Sequence, residues 1–181
     1  MSGSEKQRKL QEVVSVADEK PIGMDATGYD LLTKAVLELL SQFPGLNGRE
    51  ILFEELGDDS GIAFSADSGA LVMSEKRSIT DHVVQKCQFP IFIVYRTAAV
   101  GEFQKIQIQS FLDDLGKWLC KEPADINGTV HRLADFPKLS DGRTITRITR
   151  SNSYGTTPQD NGVQDWLLPV TVQYTNEFDM W

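Results

Sequence analysis

The 181-residue sequence is poor in the residues that most chemistry needs: two cysteines, two histidines, and basic side chains in the minority. Cys87 and Cys120 are isolated and belong to no C-x-x-C pair, so neither a metal ribbon nor a redox couple is encoded, and both read as buried apolar residues. A catalytic or metal-binding role for His82 or His131 would need carboxylates or cysteines gathered by the fold; an ordinary surface role is the simpler expectation. Lysine and arginine number 18 against 26 aspartates and glutamates, a formal charge of −8. That balance argues against a domain that grips phosphate backbones through a broad basic face.

No apolar run approaches the roughly 20 residues that span a bilayer as a helix. The polar start Met-Ser-Gly-Ser-Glu-Lys-Gln-Arg-Lys leads into no apolar segment, so no secretory signal and folding in the cytoplasm are expected. The sequence contains no G-x-x-x-x-G-K-[ST], strand-linked G-x-G-x-x-G, H-E-x-x-H or G-x-S-x-G, so phosphate cradles, zinc sites and nucleophile elbows lack support. No catalytic residue, cofactor or metal is expected.

Acidic pairs do not restore the case for an enzyme. Asp113 and Asp114 fall on a predicted helix, where neighbours point about 100° apart and cannot pinch one reacting atom. Asp58, Asp59 and Asp67 lie in turns without the alternating spacing of a calcium loop. Asn127-Gly128-Thr129, a glycosylation sequon by pattern, reads as a tight turn. A small hydrolase or transferase using His131 and nearby aspartates remains the weaker alternative, and needs those groups to converge in a pocket.

What is present suits one globular domain: 40% hydrophobic and 24% charged residues. Residues 1–24 form a charged arm in which Leu10, Val13, Val14 and Ala17 keep helical spacing. The arm either stays disordered or packs on its own domain, or docks on a neighbouring subunit. Residues 25–181 read as a single α+β domain. A helix is predicted from about Tyr29 to Gln42, with Asp25 or Thr27 as cap and Pro44-Gly45 as its stop. A strand over Glu50–Leu56 follows, then apolar pieces at Ile62–Phe64 and Ala70–Met73 with hairpin-like pairing.

Asp81–Arg96 has the clearest strand pattern, with Val83, Cys87, Phe89, Ile91, Ile93 and Tyr95 on one face. Phe92 and Val94 on the other face predict cover on both sides of its second half. Its length suggests a part that projects as a pairing surface, and Pro90 suggests an edge or a bulge. A second helix spans about Glu102–Cys120, an irregular connection Lys121–Leu139, a strand Arg143 to about Tyr154, a flexible tip Gly155–Gln164, and a closing strand with Trp166, Leu168, Val170, Val172 and Tyr174 on one face. This order predicts an α+β sandwich: a mostly antiparallel sheet with two helices packed on one face.

Two segments point outward. In Arg143–Arg150 only Ile145 and Ile148 are apolar, at opposite parity. The strand is either an edge blunted by charge, or an intersubunit strand whose Arg143, Arg147 and Arg150 meet Glu54, Glu55, Asp58 or Asp59 of a neighbour; the second reading is preferred slightly. The end Glu177-Phe178-Asp179-Met180-Trp181 is either tucked into the body or offers Trp181 as an interface anchor.

The helix closing in Phe43-Pro44-Gly45-Leu46, the strand Ile51-Leu52-Phe53 and the strand Phe89-Pro90-Ile91-Phe92-Ile93-Val94-Tyr95 carry a resemblance that continues in Leu115-Gly116-Lys117-Trp118-Leu119 and Leu168-Pro169-Val170-Thr171-Val172-Gln173-Tyr174. Over most of Leu31–Tyr174 the chain resembles the tail terminator, or tail completion, proteins of long-tailed bacteriophages. The resemblance implies a non-enzymatic virion subunit, assembled in the host cytoplasm, that forms a six-membered ring on the head-proximal end of the tail tube. Such a ring ends tube growth, contacts the tube protein and the head connector, and lets DNA pass through its lumen without specific binding. The charged arm before Met24 and the long Lys121–Leu139 connection depart from that pattern. A head-completion or stopper protein of the neck is the alternative of similar size and acidity.

Overall fold

The computed structural model describes residues 20–181. The predicted arm over 1–24 lies mostly outside the described residues, but its last part joins the sheet: β1 (Gly23–Met24) pairs with β4 (Leu71–Arg77). Next comes α1 (Ala26–Ser41), which begins three residues before the predicted start because Asp25 caps it, accepting the Gly28 amide at 3.0 Å. Leu32, Ala35, Val36, Leu39 and Leu40 recur at helical spacing and are buried, and the helix stops just before Pro44 and Gly45.

The sheet is built on β5 (His82–Thr97), whose predicted inward parity is observed: Val83, Cys87, Phe89, Ile91 and Ile93 are buried. One side of β5 is paired along its whole length by β10 (Gln164–Asp179), from Thr97↔Gln164 to His82↔Asp179. The other side is shared by β3 (Gly61–Ala66), opposite residues 91–96, and β4, opposite residues 83–88. The two apolar pieces expected to form a hairpin therefore do not pair with each other. They run end to end along β5, separated by the excursion 67–70.

Pro90 sits at that junction. Its carbonyl accepts the Asp67 amide at 3.0 Å, so the side on which it lacks an N–H faces the gap between β3 and β4, and no ladder bond is forfeited. β5 is paired by β10 on one side and by β3 and β4 on the other, so the pairing surface expected of this long strand is used within the chain's own sheet.

β2 (Ile51–Phe53) lies outside β3 as the one parallel pair among the described strands, and β8 (Arg143–Arg150) lies outside β10. The order across the carboxyl half of β5 is thus β2-β3-β5-β10, while β8 flanks β10 opposite β5 residues 85–91. β9 (Tyr154–Gly155) adds a short pair at Trp166–Leu167. The strand predicted from Arg143 to Tyr154 is accordingly two strands, broken at residues 151–153.

Helix α2 (Glu102–Leu119) buries Ile108, Leu112, Leu115, Trp118 and Leu119 against the same face as α1. Phe43 at the end of α1 meets Phe111 and Trp118 of α2 with ring centroids 5.7 and 5.5 Å apart. The fold is the predicted α+β arrangement, two helices on a mostly antiparallel sheet. The opposite face has less cover than predicted: Phe92, Val94, Leu167 and Pro169 are only half-buried, and Leu52 and Tyr154 are exposed. The connection after α2 is more regular than expected, since β6 (Ala124–Ile126) and β7 (Thr129–His131) form a hairpin. Its turn is Asn127-Gly128, both at positive φ, as a two-residue hairpin turn demands.

Candidate subunit interface

The arginine strand is an edge strand. Its two isoleucines of opposite parity are both buried because β8 carries a bulge: Gln173 pairs with Arg147 and Tyr174 with Ile145, leaving Thr146 as the extra residue. Thr146 donates its hydroxyl to the Gln173 carbonyl at 3.2 Å, fixing the kink. Parity alone does not reveal such a bulge, which is why this strand looked unlike a core strand.

The three arginines have different fates. Arg143 is corrected from interface to interior: it is 9% exposed, and its guanidinium grips Asp25 at both carboxylate oxygens, 2.9 and 2.7 Å away. The same carboxylate accepts the Tyr174 hydroxyl at 2.8 Å. Burial raises the Asp25 pKa, but the bonds from Arg143, Gly28 and Tyr174 outweigh it and hold the carboxyl below its ordinary value. Gly28 is required here, because a Cβ would collide with the Asp25 carboxylate. Nearby, burial pushes the Cys87 thiol up to about 11, as expected of an inert buried cysteine.

Arg150 is also largely spent within its own chain. Its side chain is 17% exposed, donates to Asp113 of α2 at 3.0 Å and approaches Glu122 at 3.8 Å. The stem crosses α2 at Gly116, where a Cβ would meet Arg150 Cδ. Gly116 is thus a packing residue that no sequence motif announced. Arg147 alone of the three is exposed and has no ion pair among the described residues.

Glu54, Glu55, Asp58 and Asp59 are all exposed, in the loop between β2 and β3. That loop is on the far side of β5 from β8, so cation and carboxylates occupy opposite flanks of one sheet. Arg96 holds the loop in place, donating to the Gly57 carbonyl at 3.2 Å and to both oxygens of Asp165 on β10 at 2.7 and 2.9 Å. Trp181 is 59% exposed, with Met180 and Phe178 also open to solvent.

The two histidines lie in different parts of the fold. His131 is half-buried on β7 and makes no side-chain hydrogen bond among the described residues, whereas His82 is at the other end of β5, with Nδ1 2.8 Å from Asp179. Among the described residues no three histidine, cysteine, aspartate or glutamate side chains come together as metal ligands, and no helix is long and apolar enough to cross a membrane. No protein-family model and no curated protein matches this chain.

Proposed function

We propose that this protein is a non-enzymatic structural subunit that assembles with copies of itself into a ring, and that the ring caps the head-proximal end of a bacteriophage tail tube. The observation that supports this best is the separation of charge across the sheet: exposed Arg147 on one flank, Glu54, Glu55, Asp58 and Asp59 on the other. A patch and its complement on opposite flanks favour a heterologous, head-to-tail contact, the kind that closes into rings. An isologous dimer would place like charges together. In this reading Arg147 carries the contact alone, while Arg143 and Arg150 support the strand from within.

The phage assignment rests on the resemblance of the helix and strand segments between Leu31 and Tyr174, together with an acidic charge balance that lets DNA pass without sticking. Ring partners are then the tail tube protein and the head connector, with no cofactor. A stopper or other neck protein would use the same flanks.

Arg147→Glu is expected to reduce assembly, seen as a shift to smaller species in sedimentation, with the circular dichroism spectrum unchanged. An unchanged assembly profile would refute the flank contact. Electron microscopy of particles made without this gene tests the role itself. Overlong tubes detached from filled heads fit a terminator, normal tails on leaking heads fit a neck protein, and unaltered particles defeat both.

A further inference from the structure

The chain contains three Asn-Gly pairs, Asn47-Gly48, Asn127-Gly128 and Asn161-Gly162, and each asparagine is exposed. Such a pair can cyclise, because glycine has no side chain to shield its amide nitrogen from the carboxamide carbon of the asparagine before it. In the folded chain the reaction depends on whether that nitrogen is free.

Gly162 is closed off. Its amide donates to the Gln159 carbonyl at 2.8 Å, the Asn161 side-chain oxygen accepts the Val163 amide at 3.1 Å, and a Cβ at Gly162 would collide with Ala99. The other two pairs form turns of one shape, with φ of 52° and 81° at Asn47-Gly48 and 53° and 83° at Asn127-Gly128. In both, a Cβ on the glycine would meet open space. They differ at the position two residues before the asparagine. There the β6–β7 turn has Asp125, whose carboxylate accepts the Gly128 amide at 3.0 Å. The turn that follows α1 has Gly45 at that place, with no side chain to offer, and the Gly48 amide has no acceptor among the described residues.

Charge widens the difference. Asp125 opposes loss of the Gly128 amide proton both as a hydrogen-bond acceptor and as a negative charge. Beside Gly48 stands Arg49 instead, whose Nε and Nη2 donate to the Leu46 and Gly45 carbonyls at 2.9 and 3.2 Å, so its guanidinium is held against the turn. A fixed positive charge there favours the amide anion.

We infer that Asn47 is a site of spontaneous deamidation in the folded protein, and that Asn127 and Asn161 are protected from it. The Gly48 amide nitrogen gives its proton to hydroxide and attacks Cγ of Asn47. The new N–Cγ bond forms as the Cγ–Nδ2 bond breaks, and ammonia leaves with a proton taken from water. Water then opens the cyclic imide at either carbonyl, giving aspartate or isoaspartate with no oxidant or reductant. Asn47 lines a groove of about 540 Å³ that also holds Phe111, with the Arg49 guanidinium 4.4 Å over its ring. Conversion therefore places a carboxylate in this groove, beside an arginine that has no ion pair among the described residues. The inference is independent of the ring reading.

The test holds the full chain folded in mildly alkaline buffer and follows residues 47, 127 and 161 over time by peptide mass spectrometry, with isoaspartate scored by an isoaspartyl methyltransferase. Asn47 is expected to convert several times faster than either of the others. In urea the three rates should draw together, because no turn or hydrogen bond then separates them. Asp125→Ala, at an exposed position, should raise the rate at Asn127 several-fold and leave Asn47 unchanged, with circular dichroism checking the fold. No conversion at Asn47, equal rates in the folded chain, faster conversion at Asn127 or Asn161, or an unmoved Asn127 in Asp125→Ala would overturn the inference.

Discussion

Arg143→Met isolates the buried ion pair that joins the first helix to the edge strand. The native guanidinium donates twice to Asp25, and the two side chains are 8% and 6% exposed. Methionine keeps the stem and removes the charge, leaving the Asp25 carboxylate buried with only the Gly28 amide and the Tyr174 hydroxyl. Removing one partner of such a pair costs about 3–5 kcal/mol. For a chain of this length that is a drop in Tm of roughly 10 °C, at about 2–4 °C per kcal/mol.

The assay is urea and thermal unfolding of wild type, Arg143→Met, and Arg143→Met/Asp25→Asn, in which asparagine keeps an acceptor for the helix cap. The double variant should recover a large part of the loss, because it removes the stranded charge. The pH dependence has a definite sign. The Asp25 pKa is lowered in the folded state, so its contribution is fully present above the unfolded value near 3.8 and is lost as pH falls through the folded value. Asp25→Asn should therefore flatten the acid limb of the stability curve below about pH 4. A loss under about 1 kcal/mol for Arg143→Met, or an acid limb unchanged by Asp25→Asn, would refute the reasoning.

Gly142→Ala is expected to destabilise by more than about 1 kcal/mol in urea unfolding, because φ is +72° and a Cβ would strike the Glu177 carbonyl. Leu112→Ala removes a fully buried α2 side chain, and should cost about 2–5 kcal/mol in the same experiment. His82 should titrate above its ordinary range in an NMR series, since its hydrogen bond to Asp179 favours the imidazolium, and Asp179→Asn should bring it down. Its contribution to stability is then present below the ordinary histidine value and fades as pH rises through the folded one. Cys87 should stay unlabelled by a thiol reagent at pH 8 until the chain is unfolded, because burial suppresses its thiolate.

The regular elements were legible because each repeats a local pattern that only one burial geometry satisfies. Alternation in β5 and β10 and the helical stripes in α1 and α2 fixed which side chains face the core. Asn127-Gly128 signalled a turn, although the short hairpin around it was missed: three-residue strands carry too little periodicity to register. Isolated Ile145 and Ile148 gave the wrong impression of β8, since a single bulge changes parity without changing composition.

The sequence by itself determined the fold class, the inward faces of the long strands and helices, and the acidic charge balance, all of which follow from neighbours along the chain. Tertiary structure alone decided how β3 and β4 share one side of β5, and which arginine of β8 remains free. Arg143 and Asp25 are 118 residues apart, and nothing in either segment names the other. The strand register and the start of α1 bring them together, and that pairing withdraws one arginine from the surface while Arg147 keeps its charge in solvent.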